Sequence, residues 1–321
     1  MRTTRLLGGT VGAAAVLLAT ACGYAPTPVP TQTPTAAATS APTPPAAPSC
    51  DNATQSYDPL TPMPAPGAMP DGSTMAAIQE RGRLIVGASA DSYLLASRNP
   101  QSGVIEGFDI DMAKAVAEAI FGDPTKIQLK IITAADRIPV LESGEVDIVA
   151  RNMTMTCDRW EQIGFSAEYY RSGQKILVRQ GSDITGLDTL AGERVCAPNG
   201  TSSMDNLIRL APEAIPVGAS NHTGCLVRFQ SGEVDAITGD DTVLAGLSAQ
   251  DPYAVVLEGE AFTEEPYGIG VPAEDVDLAA FINGVLEQMR ADGRWTAAYD
   301  RWLAPTLGAG TGQPTPVYGR S

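Results

Sequence analysis

Histidine and positive charge are both scarce in this chain. One histidine, His222, stands among 321 residues, and 21 lysines and arginines face 37 aspartates and glutamates, leaving a net charge of −16. A single histidine in the loop "SNHTGC" leaves no Ser-His-Asp or Cys-His set for nucleophilic catalysis; His222 reads as a loop residue beside a cysteine and is given no chemistry. The acidic balance argues against nucleic acid or an acidic membrane surface as the main partner, yet a locally positive site can still take a small anion. There is no P-loop, dinucleotide fingerprint or CxxC zinc spacing, so neither cofactor nor metal is expected. The apolar run Leu6 to Ala21 is too short for a membrane span.

What is present begins with that run. Arg2 and Arg5 precede it, and it ends "LLATAC", which places Cys22 where a lipobox puts its modified cysteine, although Ala19 stands where leucine is preferred. The reading is a signal peptide over residues 1–21 and a lipid anchor at Cys22; the alternative is an ordinary secretory signal cut near "ATA". Residues 22–49 are Pro/Thr/Ala-rich, nearly uncharged and without hydrophobic period, the composition of an extended stalk. The tail 307–321 reads similarly and is expected to fray. Residues 50–306 remain as the folded part, long enough for two lobes.

Of the five cysteines, four are left after Cys22, an even number in an exported protein and hence two disulfides. Three pairings exist. Cys196 and Cys225 fall in one lobe, whereas Cys50 follows the stalk and Cys157 lies in "NMTMTCDR", so Cys196–Cys225 and Cys50–Cys157 are favoured.

An internal echo gives the architecture. "LESGEVDIVA" (141–150) and "FQSGEVDAIT" (229–238) share a helix end, a glycine stop and a buried strand, and each follows a strand that leads into a polar loop, "RLIVGASADS" and "ERVCAPNGTSS". Strand, loop, helix, strand is α/β grammar. Helices are predicted over 109–122, closing on Gly122, and over 277–303 with a break at Asp292-Gly293. Two such lobes form a cleft at the carboxyl ends of their strands, where small molecules bind.

"GFDIDMAKAVA", "MTMTCDRWEQIGFSAEYYRSG", "VDAITGDDTVLAG" and "DGRWTAAYDRWL" resemble the extracellular solute-binding proteins of polar amino-acid ABC transporters, from about residue 76 to 304. The likeness is greatest to the glutamine/glutamate-binding lipoproteins of high-GC Gram-positive bacteria. The resemblance implies a type II periplasmic-binding-protein-like α/β fold with two crossovers: lobe 1 over 50–175 and 265–306, lobe 2 over 176–264, closing by hinge motion. It implies that Arg159 grips an α-carboxylate with Thr154 and the Asn152 backbone, that Thr201 and Ser202 meet the same carboxylate from the second lobe, and that Asp240 pairs with the α-ammonium, Asp241 starting a helix. Tyr93 is a candidate lid. Pro198 stands where many relatives have a lysine or another long polar residue.

Each residue has a plainer alternative. Arg159 could be a surface arginine, Asp240 a cap, and Thr154 an ordinary strand threonine. Arg151 could be a solvated strand end or the counter-charge for an acidic side chain; Arg171 and Lys175 carry charge near the expected hinge. The expectation is a monomeric, exported receptor, tethered to the outer face of the cell membrane, that delivers glutamate or aspartate, or glutamine or asparagine, to an ABC permease. The alternatives are a nutrient sensor with a membrane partner, or a dehydratase of the cyclohexadienyl type, for which Glu106 and Asp109 would be the acids.

Overall fold

The computed structural model describes residues 50–321; Cys22, the signal segment and the stalk lie outside the described residues. Two sheets organise the chain. In the first, the strand Leu84–Ala88 is flanked in parallel by Ile127–Ile131 and Ile148–Val149, and Gly270–Pro272 joins antiparallel between Ile148–Val149 and Ile163–Phe165. In the second, Arg194–Pro198 lies in parallel between Ile215–Ala219 and Ala236–Asp240, which pairs antiparallel with the long strand Tyr170–Arg179. That long strand and its antiparallel partner Thr263–Tyr267 carry the chain out to the second sheet and back, the two crossovers expected.

The echo in the sequence has one physical cause in both lobes. The helices Arg137–Glu142 and His222–Gln230 end at Ser143 and Ser231, and the next residues, Gly144 and Gly232, take φ of 65° and 77°. These left-handed turns cost glycine nothing in steric terms. The aspartate that follows then braces the neighbouring parallel strand. Asp147 accepts from the Ile85 amide at 2.7 Å, and Asp235 accepts from the Arg194 amide at 3.0 Å. "SGEVD" is therefore a helix stop plus a strand clamp, used twice.

The long helices fall where their periodicity places them. Phe108–Phe121 stops at Gly122 with φ 72°, and Val276–Asp292 and Arg294–Trp302 meet at Gly293 with φ 83°. They bury an aromatic cluster beside the crossovers: Phe108 sits 5.7 Å from Trp295, and Tyr169 6.1 Å from Tyr267, centroid to centroid. The Trp295 indole donates to the Tyr169 carbonyl at 2.7 Å, which satisfies the buried N–H.

Both favoured disulfides form. Cys196–Cys225 ties the strand Arg194–Pro198 to the helix His222–Gln230 inside the second lobe, and Cys50–Cys157 joins the first described residue to the short helix Cys157–Trp160. The tail corrects an expectation. It does not fray: the Ser56 amide donates to the Val317 carbonyl at 2.8 Å, the Tyr318 hydroxyl donates to Glu287 at 2.6 Å, and the Arg320 guanidinium lies 3.7 Å over the Trp160 ring. Its Pro/Gly/Thr content hid two side chains and a backbone carbonyl that each find a partner on the first lobe.

Candidate functional site

The site starts where the strand Ile148–Val149 runs out. The backbone turns at Asn152, whose φ is +35°, an uncommon conformation for a residue with a side chain. Asp109, fully buried at the start of the helix Phe108–Phe121, holds that turn by accepting from the Asn152 amide at 2.8 Å and from the Tyr169 hydroxyl at 2.7 Å. Burial pushes the Asp109 carboxyl up to about 6, against the pull of those two donors and of Arg151. Beyond the turn, Thr156 caps the short helix Cys157–Trp160, and Arg159 folds back so that its guanidinium donates to the Thr154 carbonyl at 2.6 Å.

Three guanidiniums converge here. Arg159 also reaches the Gly200 carbonyl at 3.5 Å. Arg137 donates to the carbonyls of Ala134 at 2.8 Å, Asn152 at 3.2 Å and, across the lobes, Gly200 at 3.0 Å. Arg151 donates to the Ile132 carbonyl at 3.1 Å. All three are buried, and among the described residues no carboxylate oxygen lies within 4.0 Å of any of them. Burial lowers the proton affinity of each, and for Arg137 the neighbouring Arg159 and Arg151 add to it. A guanidinium does not deprotonate in a protein, so the site keeps its positive charge, neutralised by dipoles rather than by ion pairs.

The second lobe brings different groups. Gly200 takes φ 70° and packs against Ala135, where a Cβ would lie 2.9 Å from the Ala135 Cα; this close approach lets its carbonyl meet two arginines. Ser202, the first residue of the helix Ser202–Leu210, places its hydroxyl 3.2 Å from that of Thr154. Both hydroxyls donate to one oxygen of Glu265, each at 2.7 Å. Asp240 ends the strand Ala236–Asp240. One of its oxygens accepts from the Tyr267 hydroxyl at 2.6 Å, and the other is buried without a partner. Burial first, and the negative charge of Glu265 second, push the Asp240 carboxyl up to about 7.

His222 heads the helix His222–Gln230 and lies over Gly239, where any Cβ would collide with the imidazole. Its Nε2 is shielded from water and unpartnered. Burial pushes it down to about 3, and the positive charges of Arg151 and Arg137 push the same way against a hydrogen bond to the Thr238 backbone. The imidazole is neutral, and it lies within range of the charges of Arg151 and Arg137 from the opposite lobe.

Of the residues named from sequence, Thr154, Arg159, Ser202, Asp240 and Arg151 come together. Thr201 does not point in: its hydroxyl caps the helix, accepting from the Met204 amide at 3.2 Å and donating to the Pro198 carbonyl at 2.7 Å. The Asn152 backbone is spoken for by Asp109 and Arg137, and its free group is the buried side-chain oxygen. Tyr93 stands on the rim, 47% exposed, its backbone against Gly246 of the second lobe, and joins no part of the cluster. Arg171 pairs with Glu168 at 2.6 Å and Lys175 bonds the Gly259 carbonyl at 2.7 Å, both away from the cleft. Arg137 and Glu265 escaped the sequence reading, and His222, read there as a loop residue without chemistry, instead heads a helix and is buried among charges. Arg137 and His222 each head the helix that ends in "SGEVD", so the echo was the signal that could have found them.

Comparison with known proteins agrees with this architecture. The family model "Bacterial extracellular solute-binding proteins, family 3" matches residues 84–305. The glutamine-binding protein GlnH of an ABC transporter in Bacillus subtilis is 39% identical over 231 residues, 72% of this chain and 84% of that protein. The glutamate-binding protein GluB of Corynebacterium glutamicum is 33% identical over 249 residues, covering 74% and 82%. Among solved structures, an ancestral amino-acid-binding protein described as a precursor of cyclohexadienyl dehydratase superposes with a TM-score of 0.66 at 32% identity, over 72% of this chain and 99% of that one. A match across both lobes and both crossovers settles the matter: the chain belongs to the bacterial extracellular solute-binding proteins of family 3.

Proposed function

We propose that the protein is an exported receptor that captures glutamate or aspartate, and glutamine or asparagine less tightly, and delivers it to an ABC permease. The observation that carries this reading is the set of three buried guanidiniums bonded only to backbone carbonyls. A dicarboxylate supplies two anions to such a set, one per end. Arg159 is the partner for the α-carboxylate, through the forked geometry that suits a planar anion, with Thr154 and Ser202 beside it. Asp240, with one oxygen free, is the partner for the α-ammonium. Arg151, Arg137 and His222 are then left for the side chain. The similarity to a glutamine-binding and a glutamate-binding protein supports the same class of ligand.

The proposal extends to the tether and to the output. Cys22 is the lipidation point that would hold the receptor at the outer face of the membrane, as a monomer. No catalytic step is proposed. Of the two acids a dehydratase reading would use, Asp109 is engaged by the Asn152 amide and the Tyr169 hydroxyl and serves the turn, and Glu106 accepts from the Asn99 side-chain amide at 2.7 Å.

Calorimetric titration of residues 50–321, stripped of ligand and with disulfides intact, against all twenty amino acids tests this. Glutamate or aspartate should bind more tightly than their amides, and Arg151→Ala should weaken the acids more than the amides. A preference for a cationic or apolar amino acid would overturn the assignment.

A further inference from the structure

Glu265 holds a position no other carboxylate in the described residues shares. It lies in the returning crossover strand Thr263–Tyr267, and the residue is 1% exposed. Its two oxygens collect four side-chain donors. Oε2 takes the hydroxyls of Thr154 and Ser202, each at 2.7 Å, and Oε1 takes the Thr263 hydroxyl at 2.8 Å and the Asn206 amide nitrogen at 3.1 Å. Thr154 belongs to the first lobe, and Ser202 and Asn206 to one helix of the second. One carboxylate oxygen therefore bridges the two lobes directly.

The chemistry of that oxygen matters more than the bridge. The hydroxyl pair it occupies is the pair assigned above to the ligand's α-carboxylate, and Glu265 is itself a planar, two-oxygen anion. Its charge also acts on Arg159 more strongly than that of any other acid. Asp240, the partner for the ammonium, feels the same charge as repulsion. A structural strut needs neither a charge nor this hydroxyl pair; a neutral glutamine could bond Asn206 and Thr263 as well.

We propose that Glu265 is an internal stand-in for the ligand's α-carboxylate, occupying the Thr154 and Ser202 hydroxyls so that it latches the lobes of the unliganded protein and sets the affinity by competing with the incoming amino acid. The proposal rests on the receptor reading above. Docking transfers the two hydroxyls from the Glu265 oxygen to the ligand's, and the resident charge opposes every anionic ligand at close range.

The test is Glu265→Gln, which keeps size and one carbonyl acceptor but removes the charge. Glutamate should bind at least about tenfold more tightly, the scale of removing one like charge from a partly desolvated site. Small-angle scattering of the unliganded protein should show Glu265→Gln more open than wild type. Ser202→Ala, which keeps the charge but removes the second-lobe hydroxyl from the oxygen that bridges the lobes, should open the unliganded protein as well and covers the case of a Glu265→Gln variant that does not fold. Equal or weaker binding by Glu265→Gln, or coincident scattering profiles for wild type and variants, would overturn the proposal. A wild-type protein that binds none of the twenty amino acids would count against the receptor reading, and the scattering comparison would still decide the latch.

Discussion

Acid should loosen the grip of this receptor, and the cause is a single oxygen of Asp240. The buried Asp240 carboxyl lies at about 7 in the ligand-free fold, so near neutrality only part of the population carries the charge that an α-ammonium needs. Binding the ammonium favours the ionised form, so the carboxyl titrates lower in the complex than in the free protein. Affinity is therefore full above pH 7 and is lost as pH falls through 7. The apparent dissociation constant scales with one plus ten to the power of the difference between that value and the pH, which gives a weakening of about tenfold at pH 6 and about thirtyfold at pH 5.5, or about 2 kcal/mol. Ligand carboxylates remain ionised over this range, and His222, held near 3, contributes nothing there before ligand arrives. Asp109 titrates at about 6 and is the group to control for. The assay is calorimetry from pH 8 to 5.5 in two buffers of different ionisation enthalpy. At pH 6 about 0.9 proton should leave on binding, by the same fraction. Asp240→Asn should bind weakly at every pH and lose the slope below 7. An affinity flat from 8 to 5.5, or a slope that survives in Asp240→Asn, would refute the reasoning.

Three further outcomes follow from the geometry. Arg159→Ala should cost about 2–5 kcal/mol of binding free energy, because the ligand carboxylate is left desolvated and unpaired; unchanged affinity in a titration would exclude its role. Removing residues 314–321 should lower stability by about 2 kcal/mol, from a cation–π contact and a few hydrogen bonds, and lower the melting temperature with little change in affinity; an unchanged melting temperature would show that the tail contributes nothing. Asp109→Asn should alter the pH dependence of folding. The folded carboxyl sits at about 6 against about 3.9 unfolded, so the native state holds more protons and wild-type stability falls as pH rises from 4 to 6, by up to about 3 kcal/mol. Denaturant unfolding of the variant should lack that decline, and an identical slope in both proteins would count against it.

Much of this fold is legible in the order of residues because its signals are local. A glycine stop after an apolar run marks a helix end, and the repeated "SGEVD" marks both helix–strand junctions. Arg159 is legible through the resemblance, because the motif that carries it, Thr154 to Arg159, lies within one turn and one short helix. Thr201 and Ser202 differ by a single helical position, and from sequence nothing separates the residue that caps from the one that faces the cleft. Arg137 and His222 are illegible for another reason. Arg137 looks like the polar start of a surface helix and His222 like a loop residue, and only the packing of two lobes puts the neutral imidazole within reach of the Arg137 charge. Glu265 in "TEEPY" reads as one more exposed acid in an acidic chain. It is buried because a crossover strand threads between the lobes, a fact of topology with no local signature. The tail misled through composition: Tyr318 and Arg320 are two residues among glycines and prolines, and their partners Glu287 and Trp160 are far away in sequence.

The meeting of the two ends of the folded part has a mechanical consequence. Residues 50–57 are fastened to the first lobe by the Cys50–Cys157 bond, by the Trp160 indole bonding Ala53 and by the Ser56 hydroxyl bonding Phe165, and the tail lies alongside them. Each of these fastenings of residues 50–57 is to the first lobe, on the near side of the crossover strands Tyr170–Arg179 and Thr263–Tyr267. Both ends of the described chain are thus fastened to the first lobe, and along the chain the second lobe is reached only through the crossover strands Tyr170–Arg179 and Thr263–Tyr267.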